Sequence, residues 1–189
     1  LLSRGLGDVY KRQLLTQARS RGGLLSFARF LGLALIGSGI LAASAQVTVP
    51  MWPVPATLQS LAVLLLGALG GSRLGAASVA LYLAEGAMGL PVFAGGATGL
   101  TAFAGPTAGY LLGFLPAAWI AGQASGSWLR GALVLTVAHL ALFVPGVAWL
   151  AGFAGWEKAL MAGFVLFIPG TLVKTGLAFA ALRLARRQG

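Results

Sequence analysis

Residues 56–90 read ATLQSLAVLLLGALGGSRLGAASVALYLAEGAMGL, and they decide the fold. Two apolar runs, about Ala56 to Leu69 and Leu74 to Leu90, flank the polar turn Gly70-Gly71-Ser72-Arg73. Arg73 and Glu85 are the only charges in the stretch, and Pro91 follows it. Long, almost uncharged runs joined by a glycine-rich turn are the mark of helices that pack side by side in lipid. The first run is short for a full span, so it starts inside the preceding segment or tilts.

The same pattern extends outward. A run from about Phe30 to Ala45 precedes Val49-Pro50-Met51-Trp52-Pro53-Val54-Pro55, whose prolines predict an extended loop. Downstream, spans are predicted over roughly Pro106–Gly122 and Leu129–Trp149. The apolar region from Trp156 to Arg183 is too long for one span. Ile168-Pro169-Gly170 divides it into a short outer helix, Trp156–Phe167, and a sixth span from Pro169 to about Arg186.

Composition agrees. Of 189 residues, 58% are hydrophobic and 8% charged, against roughly a quarter charged in soluble domains. The formal charge of +10 does not point to nucleic acid, because the cations sit between apolar runs rather than on one polar face. Arg19, Arg21, Arg29, Arg73, Arg130, Arg183, Arg186 and Arg187 all fall on one side if both termini are cytoplasmic, as the positive-inside rule asks. The fold class expected is an all-α integral membrane protein of about six transmembrane helices, a compact bundle with a buried glycine-rich outer loop at 91–105. Non-helical backbone of that kind is tolerated at membrane depth only against protein or a cavity.

Three segments are expected. Residues 1–13 contain Asp8-Val9-Tyr10-Lys11-Arg12-Gln13, which reads as a translated sequencing adapter and is set aside. Residues 14–29 form a basic cytoplasmic N-terminus, and 30–189 a single six-helix membrane domain.

Lys174 is the most informative residue. An ammonium inside a span costs a few kcal/mol and marks a functional site by default. It lies about one turn past the Pro169-Gly170 break, with Thr171 on the same face. Free backbone donors and the positive helix end gather there, making a corner suited to a carboxylate. The alternative is a lysine snorkelling to the interface.

The other polar residues say less. Glu85 is either paired with a cation, protonated, or placed where spans meet the outer loop; alone it supports no acid–base chemistry. His139, midway along the fifth span, reads as an inter-helix hydrogen-bond partner. Ala34, Ser38, Ala42 and Gln46 form a small-residue stripe, which closes the chain's own bundle or docks a separate subunit. The chain has no cysteine, no metal-ligand spacing and no phosphate-binding Gly-x-x-x-x-Gly-Lys-[Ser/Thr] motif. It is therefore read as no enzyme, with no cofactor.

Four ordered motifs carry a resemblance. They are Ala45–Pro50 with Pro53–Leu61, Leu81–Gly96, Gly105–Phe114, and Phe167-Ile168-Pro169-Gly170-Thr171-Leu172-Val173-Lys174. Together they resemble the BioY family, the substrate-binding components of energy-coupling-factor biotin transporters, from about residue 30 to the C-terminus. The resemblance implies capture and transport of biotin, in a multi-pass protein of the bacterial cytoplasmic membrane. It implies a transmembrane coupling subunit and two ATPase subunits as partners, with ATP used by them. It implies a substrate-binding set of Lys174, Thr171, Tyr110, Phe93, Gly95, Gly96, Tyr82 and Glu85, with Trp52 a further candidate aromatic. It also implies partner docking through Ala34, Ser38 and Ala42. The family usually reads Pro-Gly-Asp where this chain has Pro169-Gly170-Thr171, and often has a polar residue near Gly95-Gly96. Rival readings are a membrane subunit for another small carboxylate-bearing vitamin, a non-transport scaffold, and an enzyme acting on lipid.

Overall fold

The computed structural model describes the backbone of residues 2–188 and the side chains of residues 23–188. The adapter-like segment 1–13, with Arg19 and Arg21, lies outside the residues whose side chains are described. The chain divides into two compact units, residues 1–33 and 34–189. In the first, Leu24, Leu25 and Phe27 are exposed apolar side chains. All packing below belongs to the second.

Helix α1 (Leu2–Gln46) ends where a two-residue ribbon begins. Strands β1 (Thr48–Val49) and β2 (Ala56–Thr57) pair antiparallel, Thr48 opposite Thr57. Between them lie Pro50, Pro53 and Pro55, which lack the N–H needed to extend the ladder. Helix α2 runs from Gln59 to Ala87 but is no straight rod. Gly71 breaks it at φ 81°, ψ 165°. Beyond the break the chain doubles back. Gln59 Nε2 lies 2.5 Å from Tyr82 Oη, whereas 23 residues of straight helix would separate them by about 35 Å. A β-carbon on Gly75 would fall 2.7 Å from the Gly67 Cα, so the two arms touch backbone to backbone. The first arm is short, as expected, because residues 56–58 are ribbon and turn rather than helix.

A glycine-rich connection carries a 3-10 turn at Ala94–Gly96 and the one-turn helix α3 (Thr101–Ala104). Helix α4 (Ala108–Ala121) returns across the hairpin. Gly122 sits against the Ser72 backbone, and the Ser72 hydroxyl donates to the Trp119 carbonyl at 2.8 Å. Helices α5 (Trp128–Ala141) and α6 (Phe143–Ala154) divide the predicted fifth span. The division falls just before Pro145, which has no N–H to return to Ala141. Gly155, at φ 80°, turns the chain into α7 (Trp156–Gly163). A 3-10 turn at Val165–Phe167 leads to α8 (Ile168–Gln188). A short helix thus stands within the expected Trp156–Phe167, its α-helical part ending at Gly163 and the 3-10 turn filling the remainder.

Helices α4 and α6 meet through Gly109 and Gly113, whose missing side chains admit Pro145, Trp149 and Leu142. This is the small-xxx-small packing that lets helices approach in lipid. Outward faces stay apolar: Leu129, Leu133, Val137, Leu140 and Val144 form an exposed stripe along α5 and α6, and Leu172, Val173 and Leu177 another on α8. Such unbroken apolar surface has no place in water and fits a lipid environment.

One end of the bundle collects cations. The Arg186 guanidinium donates to the Ala124 and Gly126 carbonyls, at 2.5 and 3.0 Å. Gly126 also lies against the Arg130 side chain, and Gly122 against the turn that carries Arg73. The opposite end holds the ribbon, the glycine-rich connection and α7.

Candidate functional site

The opposite end encloses a cavity of about 210 Å³. Its walls come from the ribbon, both α2 and α4, the glycine-rich connection, α5 and α8. Most are apolar, including Phe93, Leu111, Phe114, Leu142 and Phe143. The polar residues lining the cavity are Thr57, Gln59, Ser60, Thr107, Tyr110, His139, Thr171 and Lys174.

Lys174 lies on the cavity wall, partly buried. Its ammonium donates to the Thr57 carbonyl at 2.6 Å and lies 3.2 Å from the Ser60 hydroxyl. An ammonium has three donors, so one remains for whatever fills the cavity. No acidic side chain lines it among the described residues. Glu85, the acid expected nearest, accepts a short hydrogen bond from Ser38 on α1 and stands off the cavity. Lys174 is therefore held in a mostly apolar enclosure by neutral acceptors alone, which attracts an anion. It points inward, not to the interface as a snorkelling lysine does.

The glycine-rich connection closes the cavity and is tied down at several points. The Tyr82 hydroxyl donates to the Val92 carbonyl at 3.3 Å, and the Gln46 amide to the Phe93 carbonyl at 3.2 Å. The Gly99 N–H reaches the Gly86 carbonyl at 2.7 Å, and the Trp149 indole the Gly105 carbonyl at 3.0 Å. These bonds seat Phe93, 2% exposed, edge-on to Tyr82 and Phe103 with centroids 5.2 and 5.6 Å apart. The connection is buried at Phe93 but exposed from Gly95 to Thr98, so only part of it fulfils the expectation of a buried loop.

The structure brings Lys174, Thr171, Tyr110 and Phe93 together on one cavity, as the sequence suggested. Tyr110 contributes only its ring, because its hydroxyl donates to the Gly163 carbonyl at 2.8 Å. Tyr82, Glu85, Gly95 and Gly96 do not line the cavity. Tyr82 stands behind the wall, buried and bonded to Gln59. Gly95 and Gly96 serve the 3-10 turn, with φ of 67° and 75° and open space at their β-carbon positions. Trp52 is 88% exposed and away from the cavity.

The small-residue stripe is buried at Ala34 and Ser38, half-buried at Ala42 and exposed at Gln46. Ala34 is 1% and Ser38 0% exposed, and Ala42 packs on the core. Ala34 and Ser38 thus pack within the chain's own bundle. Five polar cavity residues went unread in the sequence as site residues: Thr57, Gln59, Ser60, Thr107 and His139. A lone histidine inside an apolar span was the available signal for the last.

Fold and cavity together define a helical, multi-pass membrane protein that encloses a small polar-ended site near one end of its bundle. The BioY family profile matches residues 15–189, and the chain belongs to that family. Among relatives, the probable biotin transporter BioY of Pyrococcus horikoshii is 37% identical over 80% of this chain and 92% of its own length. The biotin transporter BioY of Thermotoga maritima is 37% identical over 80% of this chain and 95% of its own. The crystal structure of the S-component for biotin from an ECF-type ABC transporter superposes with TM-score 0.77 at 25% identity. It covers 87% of this chain and 94% of that one.

Proposed function

We propose that this chain captures biotin at the cavity and acts as the substrate-specific subunit of an ECF-type importer. The observation that carries the reading is Lys174: a cation on a closed, largely apolar cavity, hydrogen-bonded only to the neutral Thr57 and Ser60. Biotin offers what this enclosure lacks, a single carboxylate on an apolar chain. Its carboxylate meets the third Lys174 donor and the Thr171 hydroxyl. Its chain and thioether ring lie against Phe93, Phe114 and Phe143. Its flat ureido ring takes hydrogen bonds from the backbone and from Thr107 under the glycine-rich connection. The BioY membership and the relatives' names favour biotin over other small acids.

The chain crosses the plasma membrane six times: α1, the two arms of α2, α4, α5 continued by α6, and α8. The arginine-bearing end faces the cytoplasm, by the positive-inside rule, and the cavity end faces outward. Both termini are then cytoplasmic. A transmembrane coupling subunit and two ATPase subunits supply the energy for import. Their docking face is the α1 stripe that the family resemblance implies, reached at the half-buried Ala42, with Ala34 and Ser38 turned inward.

Uptake of radiolabelled biotin by cells unable to make it tests the reading. Cells expressing the chain with a coupling module accumulate label, and cells expressing the Lys174→Met variant with that module do not. Equal accumulation in the two would contradict it.

A further inference from the structure

His139 is 1% exposed, and its Nδ1 lies 2.7 Å from the Thr175 hydroxyl. Thr175 directly follows Lys174, so α8 turns one polar residue toward α2 and the next toward α5. Which atom carries the shared proton depends on the imidazole tautomer, and the hydroxyl's other options bear on it. Thr136 and Ser78 return their hydroxyl protons to the carbonyl four residues back, both at 2.9 Å. Thr175 makes no such bond among the described residues, so its hydroxyl proton is free for Nδ1. A neutral imidazole with Nδ1 accepting carries its proton on Nε2.

That Nε2–H has no partner among the described residues. Every fully occluded polar side-chain atom described does have one. Nε2 therefore keeps access, and its residue lines the cavity. A nearly buried donor opening on a mostly apolar cavity is costly to leave unpaired. His139 also stacks on Phe143, with centroids 6.2 Å apart and planes 19° apart, which fixes the ring edge.

We infer that His139 is a second ligand contact, its Nε2–H donating to the carboxylate that Lys174 attracts, with Thr175 as the positioning residue that fixes the tautomer. This rests on the biotin reading above. Lys174 supplies charge from one side and His139 a directed donor from the other, so the pair selects a planar two-oxygen anion over a neutral terminus.

The test pairs a variant with a ligand change. In detergent, His139→Phe keeps a flat aromatic ring, somewhat larger, and removes the donor. It weakens biotin binding about tenfold or more, as loss of a charge-assisted hydrogen bond does. It leaves an analogue with methyl in place of the carboxylate unchanged within about twofold. Thr175→Val, close in shape, weakens biotin by a smaller factor. His139 is the single histidine, so ¹⁵N-histidine NMR reads it alone: the Nε2–H tautomer before ligand, and an Nε2 shift on adding biotin. Equal weakening of both ligands by His139→Phe, no weakening of biotin, or an Nδ1–H tautomer would overturn the inference. If the unsubstituted chain binds no biotin, the functional reading fails and this contact with it. If it binds and His139→Phe is indifferent, only this contact fails.

Discussion

The Lys174 ammonium lies 2.6 Å from the carbonyl oxygen of Thr57, a residue 117 positions earlier in the chain. That bond joins α8 to the ribbon and fixes the one cation on the cavity wall among the described residues. Thr57 also contacts Gln59, Gln59 donates to Tyr82, and Tyr82 donates to the Val92 carbonyl. A continuous polar chain thus runs from the cation to the segment that covers the cavity.

Replacing Lys174 by Met removes the charge and keeps the stem. Truncating one member of a buried charged pair costs about 2–5 kcal/mol, roughly 30-fold to several thousand-fold in affinity. Calorimetry should show that loss for biotin, while the melting temperature stays within a few degrees of wild type. A Lys174→Met chain that binds biotin as wild type does would place the carboxylate elsewhere.

Tyr82→Phe tests the cover. The hydroxyl joins Gln59 to Val92, and the ring continues to pack edge-on to Phe93 without it. Two hydrogen bonds contribute about 1–3 kcal/mol together. The expected result is faster release of bound biotin, about tenfold, with hydrogen exchange raised across residues 91–105. An unchanged release rate would mean that the cover is held by its other ties.

Glu85 and Ser38 belong to helix packing rather than to the ligand. Glu85→Gln keeps a side chain that can accept from Ser38, so biotin affinity changes less than about threefold. Ser38→Ala leaves the Glu85 acceptor without its donor and lowers the melting temperature, by the equivalent of about 1–3 kcal/mol. A strong loss of binding in a stable Glu85→Gln chain would return Glu85 to the site.

The hairpin in α2 depends on Gly75. Even the alanine β-carbon would sit 2.7 Å from the Gly67 Cα, so Gly75→Ala should sharply reduce the folded yield. Gly39, with nothing within 4 Å of its β-carbon position, is the matched control. Alanine there should be neutral or add about 0.5–1 kcal/mol of helix stability. Similar behaviour of the two variants, judged by size-exclusion profile and thermal melting, would contradict the close approach.

Much of this was legible in the residues. Gly70-Gly71-Ser72-Arg73 marked the reversal, because glycine reaches the positive φ that breaks the helix at Gly71. Lys174 stood out because a charge inside a span demands a reason. What stayed hidden depends on register between distant helices. Nothing local in His139 says that it meets Thr175, 36 residues away. Gln59 and Ser60 looked like the start of a helix, and only the doubling back of α2 brings Gln59 beside Tyr82. The small-residue stripe of α1 suited either an internal or an external neighbour, and only register between helices buries its Ala34 and Ser38 inside the bundle. Tyr82, Gly95 and Gly96 sit in the segments that form the site but support its wall from behind or outside.

The most direct measurement is a calorimetric titration of the detergent-purified chain with biotin and, in parallel, with biotin amide. The structure predicts tight binding of biotin and binding of the amide weaker by at least about 30-fold, because only the carboxylate meets the Lys174 charge. Equal affinity for the two, or no biotin binding by a folded, monodisperse sample, would contradict the assignment of the cavity.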